Sequence, residues 1–458
     1  MNFGNQKKFE QKLISKINTY FTSFVIFRIN QNKETMIKER LISLDVFRGI
    51  TVLFMVIVNN PGNWSAIYKP LAHAEWNGCT PADLVFPFFI FAMGAAVPFA
   101  MPTKIWDSNV LNKIIVRSLR IFCLGLFFNF FSKIELFGWE GIPLLLCRLA
   151  ITGLVAYALM GNFSLKVKTW LVVVIFGVLI GLAYSGIKTF SDVRIPGVLQ
   201  RIGIVYFFTA LLYLKTTQKT QLLTAILLLL GYWGLMALVP VPGIGPANFI
   251  VNTNLAAWLD NTVLTGHLWV YTVTWDPEGI LSTLPTIASA ISGLLVGQLL
   301  NSPMLSMKII KRMTETGTIL IILGLLWNMM FPLNKNLWSS SYVLYTSGIA
   351  MLTLAFLYYV IDVAHYKKWA KLFLIWGVNP MIVFFFSGIV SKILHAVEIK
   401  NPEIADKQIT IQDYFYSHCI VPYFSEPKSA SVTFAIANVV MWSLILYILY
   451  KKNIIVKV

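Results

Sequence analysis

The sequence predicts an all-α, polytopic transmembrane helical bundle of about twelve spans (about 10–12), with both termini cytoplasmic. Three observations lead there. Hydrophobic residues make up 57% of the 458 and charged residues only 12%, with a mean hydropathy of +0.71, too apolar for a soluble domain of this size. Apolar runs long enough to cross a bilayer recur along the chain. The Lys and Arg residues behind the net charge of +17 concentrate in every second connection between those runs, which is the pattern of cytoplasmic loops and not of a nucleic-acid surface.

Residues 1–40 carry Lys7, Lys8, Lys12, Lys16, Arg28, Lys33, Lys38 and Arg40 and read as a basic cytoplasmic or interfacial arm. Its apolar patch over 20–29 is too short to span and lacks the core and cleavage site of a signal peptide. Met36, just ahead of the first span, is an alternative start. The transmembrane domain fills 41–458, with spans at 42–58, 81–100, 114–131, 142–159, 170–184, 198–214, 222–239, 280–300, 319–331, 342–363, 372–394 and 432–449. Alternate threading gathers the arm and Lys104, Arg117, Lys166, Lys215, Lys308, Lys367 and Lys451 on one side, the cytoplasmic one. The other side receives His73 and two long loops, 240–279 and 396–431, whose Trp258, Trp269, Tyr271, Trp275 and Tyr414 suit an ordered cap or an interfacial aromatic belt. Residues 141–148 and 194–201 echo one another, each entering a span from outside and ending in Arg148 or Arg201. Internal duplication of that kind is common in transporters.

Chemistry points to 43–99. One span ends at Asn59-Asn60-Pro61, a polar excursion carries His73-Ala74-Glu75-Trp76-Asn77-Gly78, and the next span opens with Thr80-Pro81-Ala82-Asp83. A carboxylate beside an imidazole fixes its tautomer, and an asparagine amide can hold an oxyanion, so His73, Asn59 and Asp83 form a candidate catalytic set. Trp76 and Asn77 belong to the turn that presents the histidine. Asp276 and Glu278 lie at the same mouth, as ligand-binding carboxylates or as caps of the following helix. With Trp76 and Asn77 they are the candidate substrate-binding residues. Asp45 and Arg48 share a helix face as an interfacial ion pair or a binding pair, and Arg201 either snorkels or holds an anion between helices. Asn379-Pro380 breaks an apolar helix and frees backbone carbonyls. Cys79, Cys123, Cys147 and Cys419 fit no zinc or redox spacing, no paired histidines suggest a metal, and no phosphate-binding glycine loop or nucleophile elbow occurs.

Leu44-Asp45-Val46-Phe47-Arg48-Gly49, Val58-Asn59, the His73 to Gly78 run, Ala82-Asp83-Leu84-Val85-Phe86-Pro87, Arg194-Ile195-Pro196-Gly197-Val198-Leu199-Gln200-Arg201, Asp276-Pro277-Glu278-Gly279, Asn334-Lys335-Asn336-Leu337-Trp338-Ser339 and Gly377-Val378-Asn379 resemble, in order, the membrane domain of the heparan-α-glucosaminide N-acetyltransferase family of transmembrane acyltransferases. The resemblance implies an enzyme that moves acetyl from cytoplasmic acetyl-CoA to the amine of a glucosamine-type sugar on the external side. It puts the catalytic histidine on His73, its asparagine on Asn59 and the acidic residue on Asp83. For the coenzyme phosphates it suggests Arg48, Arg201, Lys335 and Asn336. It further implies a bacterial-type member in the inner membrane, without the long luminal domain of the animal enzyme, with an extra hairpin at about 132–189, and a possible homodimer. Two other readings stay open: an amino-sugar permease, and an O-acyltransferase for an envelope polysaccharide.

Overall fold

The computed structural model describes residues 41–136, 138–400 and 408–456; the basic arm at 1–40 lies outside them. In chain order the helices are α1 Ile42–Asn59, α2 Val85–Ala100, α3 Ser108–Phe130, α4 Gly141–Met160, α5 Leu165–Ala183, α6 Val198–Lys215, α7 Gln218–Leu238 and α8 Leu255–Val263. There follow α9 Thr283–Leu300, α10 Ser306–Trp327, α11 Ser340–Leu357, α12 Lys371–Val378, α13 Pro380–Ala396, α14 Ile411–Cys419 and α15 Pro427–Lys451. The described strands are β1 Glu398–Lys400 and β2 Gln408–Thr410, an antiparallel pair in the last long loop.

Among the described residues ten helices are long and apolar enough to cross a membrane, or eleven with the bent pair α12–α13 counted as one span. This is a multi-pass membrane protein. The expected span at 319–331 lies mostly in α10, whose first turns carry Lys308, Lys311, Arg312 and Glu315 and whose later turns are apolar. That clustered charge is why α10 falls outside the ten. At Asn379-Pro380 the chain turns by 79°, the expected break. The freed carbonyl of Gly377 receives Arg48 Nη1 at 3.4 Å, while the Asn379 amide bonds Ile454 O and Val456 N at 2.9 Å each.

Close backbone approach at small residues sets the centre. α2 and α9 run side by side so tightly that a Cβ on Gly94 would stand 2.0 Å from Ala290 O, and one on Gly293 2.0 Å from Phe91 O. α6, α7 and α11 pack against α9, α3 packs on α6 and α10 on α11, while the α4–α5 hairpin lies outermost with Leu146, Leu154, Tyr157 and Trp170 exposed. Contacts sort the connections into two ends. Lys104 reaches Thr216 O, Ser43 N reaches Asp362, and Tyr358 reaches Ser306 at one end. At the other, Arg194 meets Asp276, Gly78 N meets Leu333 O, and Tyr68 meets Glu426. The basic connections thus gather at the first end, and His73 stands at the second.

Candidate active site

The sequence around His73 forms two tight turns because Asp83 collects their polar groups. Asp83 opens α2 from within a 3₁₀ turn, Pro81–Leu84, where Pro81 presets the backbone and Thr80 completes a capping box. Asp83 Oδ2 accepts from Ala74 N at 3.1 Å, Thr80 N at 3.0 Å and Thr80 Oγ1 at 3.1 Å, and Oδ1 lies 2.8 Å from His73 Nδ1. The carboxylate is buried while the imidazole is 41% exposed, so the base is anchored on one side and reachable on the other. A proton on Nδ1 donates to Asp83, which leaves the Nε2 lone pair for a substrate.

A third ionisable group completes the cluster. Lys335, from the α10–α11 connection, has Nζ 3.1 Å from His73 Nδ1, 3.2 Å from Nε2 and 3.6 Å from Asp83 Oδ1. Burial holds its ammonium below the ordinary lysine range, against the pull of Asp83 and Glu278. Asn334 fixes this connection by donating to Asn77 Oδ1 at 3.2 Å and accepting from Leu337 N at 2.8 Å. Nearby Cys79 is a poor nucleophile, because burial first and the Asp83 charge second push its thiol up to about 12. All four cysteines are free thiols.

His73, Lys335, Asn59 and Glu278 line one cavity of about 570 Å³. Its inner wall is apolar, from Val52 and Met55 of α1 and Val85, Phe86 and Phe89 at and beyond the start of α2. The Asn59 side chain makes no hydrogen bond to another described residue, so its amide is available to a ligand there. The expected substrate-binding residues divide. Glu278 faces the cavity, whereas Asp276 is fully buried and grips Arg194 with both oxygens, Nε to Oδ2 at 2.8 Å and Nη2 to Oδ1 at 2.6 Å. Arg194 also donates to Glu278 at 2.5 Å; burial alone would lower it, but the two carboxylates hold it raised. Trp76 donates to Phe249 O at 2.9 Å and meets Trp275 edge-on, so it ties the histidine loop to the long loop. Asn77 pairs with Asn334.

The four residues expected at coenzyme phosphates do not converge. Arg48 pairs with Asp45 at 3.0 Å, about eleven residues, or roughly 16 Å, down α1 from Asn59. Arg201 is buried in the first turn of α6, donating to Gly279 O at 3.0 Å and Ser282 Oγ at 2.5 Å, with its plane 5.5 Å from Trp338. Lys335 stands at His73, and its neighbour Asn336 is half-buried beside it.

The sequence reading passed over three groups. Arg194 faces the Trp275-Asp276-Pro277-Glu278 run with opposite charge, a signal that was present. Buried Asp260 of α8 accepts from Asp276 N at 3.3 Å and Ile280 N at 2.8 Å, and burial raises it to about 6. Nothing local marks it. Tyr342, buried in α11, donates to the Asp83 carbonyl at 2.5 Å. Among the described residues no group of three or more His, Cys, Asp or Glu could hold a metal ion.

Comparison with known proteins bears on this site. Residues 40–270 match the family described as a domain of unknown function, DUF5009. The chain is 28% identical over 473 aligned residues to heparan-alpha-glucosaminide N-acetyltransferase of Homo sapiens, and 27% identical over 475 to that of Mus musculus. Each alignment covers 92% of this chain and 60% of the relative, so the chain spans about 60% of the length of the curated relatives it matches. The family match takes in α1 to α8 and with them the His73–Asp83 pair, and the chain belongs to the DUF5009 family of heparan-α-glucosaminide N-acetyltransferase-like proteins.

Proposed function

We propose that this protein is a membrane-embedded acetyltransferase that moves acetyl from acetyl-CoA, delivered from the cytoplasmic side, to the amine of a glucosamine-type sugar at the opposite face of a bacterial inner membrane. The observation that carries this reading is the His73–Asp83–Lys335 cluster opening on a cavity shared with Asn59 and Glu278. The likeness to heparan-alpha-glucosaminide N-acetyltransferases supports it.

The inner part of the cavity, with Val52, Met55, Val85, Phe86 and Phe89, suits the apolar arm of a thioester. The coenzyme supplies an activated acetyl group, and the residues do the rest. Glu278 attracts the sugar's ammonium. After that ammonium has released one proton to water at the open mouth, the amine attacks the acetyl carbonyl. The C–N bond forms as the C–S bond breaks, and the second proton passes to His73 Nε2 and on to the departing thiolate. Asp83 keeps Nδ1 protonated and Nε2 free, while the Asn59 amide and the Lys335 ammonium stabilise the developing oxyanion.

The test is purified protein in liposomes, given acetyl-CoA and a panel of amino sugars and scored by free thiol. Turnover in wild type, with H73A reduced by about 10²–10⁴-fold while acetyl-CoA binding persists, supports the proposal. Movement of labelled sugar through wild type without acetyl-CoA, and no thiol release with any sugar, would overturn it in favour of a permease. Release with envelope polysaccharide hydroxyls alone would reassign the acceptor.

A further inference from the structure

A second cavity, of about 930 Å³, adjoins the first, and Met55, Asn59, Val198 and Phe384 line both. Its remaining wall sets polar groups, Asn60 from the end of α1, Asn129 from the end of α3, Gln200 from α6, and Ser391 and Lys392 from α13, among the apolar side chains of Phe128, Leu199 and Phe385. Each amide nitrogen already has a partner, Asn60 donating to Val56 O at 2.8 Å, Asn129 to Arg194 O at 2.7 Å and Gln200 to Ile195 O at 3.0 Å, while no described residue donates to the amide oxygens. The three side-chain amides therefore offer their oxygens as acceptors for hydroxyl groups.

Charge in this cavity comes from Lys392. Its Nζ donates to Phe128 O at 2.6 Å and lies 4.1 Å from the centre of the Phe128 ring, so the side chain turns inward against α3 and does not snorkel outward. One carbonyl uses one of three ammonium donors. Among the described residues Lys392 has no carboxylate partner, and the charge acting on it is another cation, Arg148. Arg194, the other cation lining the cavity, is already matched by Asp276 and Glu278. A cation held within a helical bundle is costly unless an anion meets it.

We propose that the second cavity is a binding subsite for a hydroxyl-bearing, anionic part of one of the two reactants, with Lys392 as counter-charge and Asn60, Asn129 and Gln200 as hydroxyl acceptors. This rests on the acetyl-transfer reading, in which both reactants meet at Asn59 and His73. The anion is a phosphate of the donor or an acidic group on the amino-sugar acceptor.

Equilibrium binding to the full-length protein, followed by tryptophan fluorescence, separates these sources. The probes are acetyl-CoA against S-acetylpantetheine, and glucosamine 6-phosphate and muramic acid against glucosamine. Wild type should bind at least one anionic probe about tenfold more tightly than its neutral counterpart, K392Q should lose that preference, and K392R should keep most of it. Preference within the coenzyme pair assigns the anion to the donor; preference within the sugar set assigns it to the acceptor. No preference in wild type, an unchanged preference in K392Q, or an equal loss in K392Q and K392R each overturns the subsite. Binding is read without turnover, so a failure of acetyl transfer would sink the catalytic reading alone.

Discussion

Lys335 and His73 are separated by 262 residues of chain, yet the lysine ammonium stands 3.1 and 3.2 Å from the two imidazole nitrogens. An ammonium in that position offers a donor to whatever the ring attacks or protonates.

Replacement of Lys335 should therefore hurt the chemical step. K335A is expected to lower kcat by about 10²-fold, within the range for a lost oxyanion donor, with K335R retaining more activity and both folding normally. Burial lowers the lysine, so an activity that needs its charged form declines with rising pH at a value below the ordinary lysine range. A kcat–pH profile of wild type and K335R checks the sign: the alkaline limb should move upward in K335R.

Asp83 is both the partner of the imidazole and the hub of the turn, and two substitutions separate these roles. D83N keeps the size and one acceptor oxygen and should cost activity by about 10²–10³-fold with little change in Tm. D83A leaves the N–H groups of Ala74 and Thr80 without their acceptor and should lower Tm as well, by an amount equivalent to about 1–3 kcal/mol. Steady-state kinetics beside thermal melting in detergent reads both.

Asp276 and Glu278 look alike in sequence and differ in place. D276N breaks the buried grip on Arg194, whose loss is worth about 3–5 kcal/mol, and should appear as a lowered Tm. E278Q should leave Tm closer to wild type and raise the acceptor KM by about tenfold, because Glu278 alone of the pair lines the cavity. Equal effects of both variants on Tm and KM would refute the division.

Asp260 predicts a pH effect on the loop that carries Glu278. Its folded value, about 6, lies above the ordinary aspartate value of 3.8, so the folded state holds the proton more tightly. This contribution is greatest below the unfolded value and is lost as pH rises to about 6, above which it is flat. The difference in Tm between wild type and D260A should shrink over that window, while D260A loses the bonds to Asp276 N and Ile280 N at every pH.

Local signals made much of this legible in the sequence. The spans followed from apolar length, the break at Asn379-Pro380 from proline chemistry, and the pairing of His73 with Asp83 from the short polar connection that carries the histidine up to the helix start. The position of Lys335 was not legible, because only the packing of the α10–α11 connection against the histidine loop brings it there. Arg48 shows the same limit: the resemblance suggests it for a coenzyme phosphate, whereas the Gly377 carbonyl that the broken helix turns toward it is revealed only by tertiary structure. In α10, clustered charge in the first turns hid a helix that the apolar run of its later half had announced.

The backbone contact between α2 and α9 has one more consequence. The His73 loop feeds directly into α2, and Glu278 lies just ahead of α9, so the two chemical walls of the cavity ride on a single welded pair. A pocket built on such a chassis keeps its dimensions when empty. Rigid inhibitors that join an amine mimic to a thioester mimic at one fixed span should suit it better than flexible ones, since little of their binding would be lost to reshaping the protein.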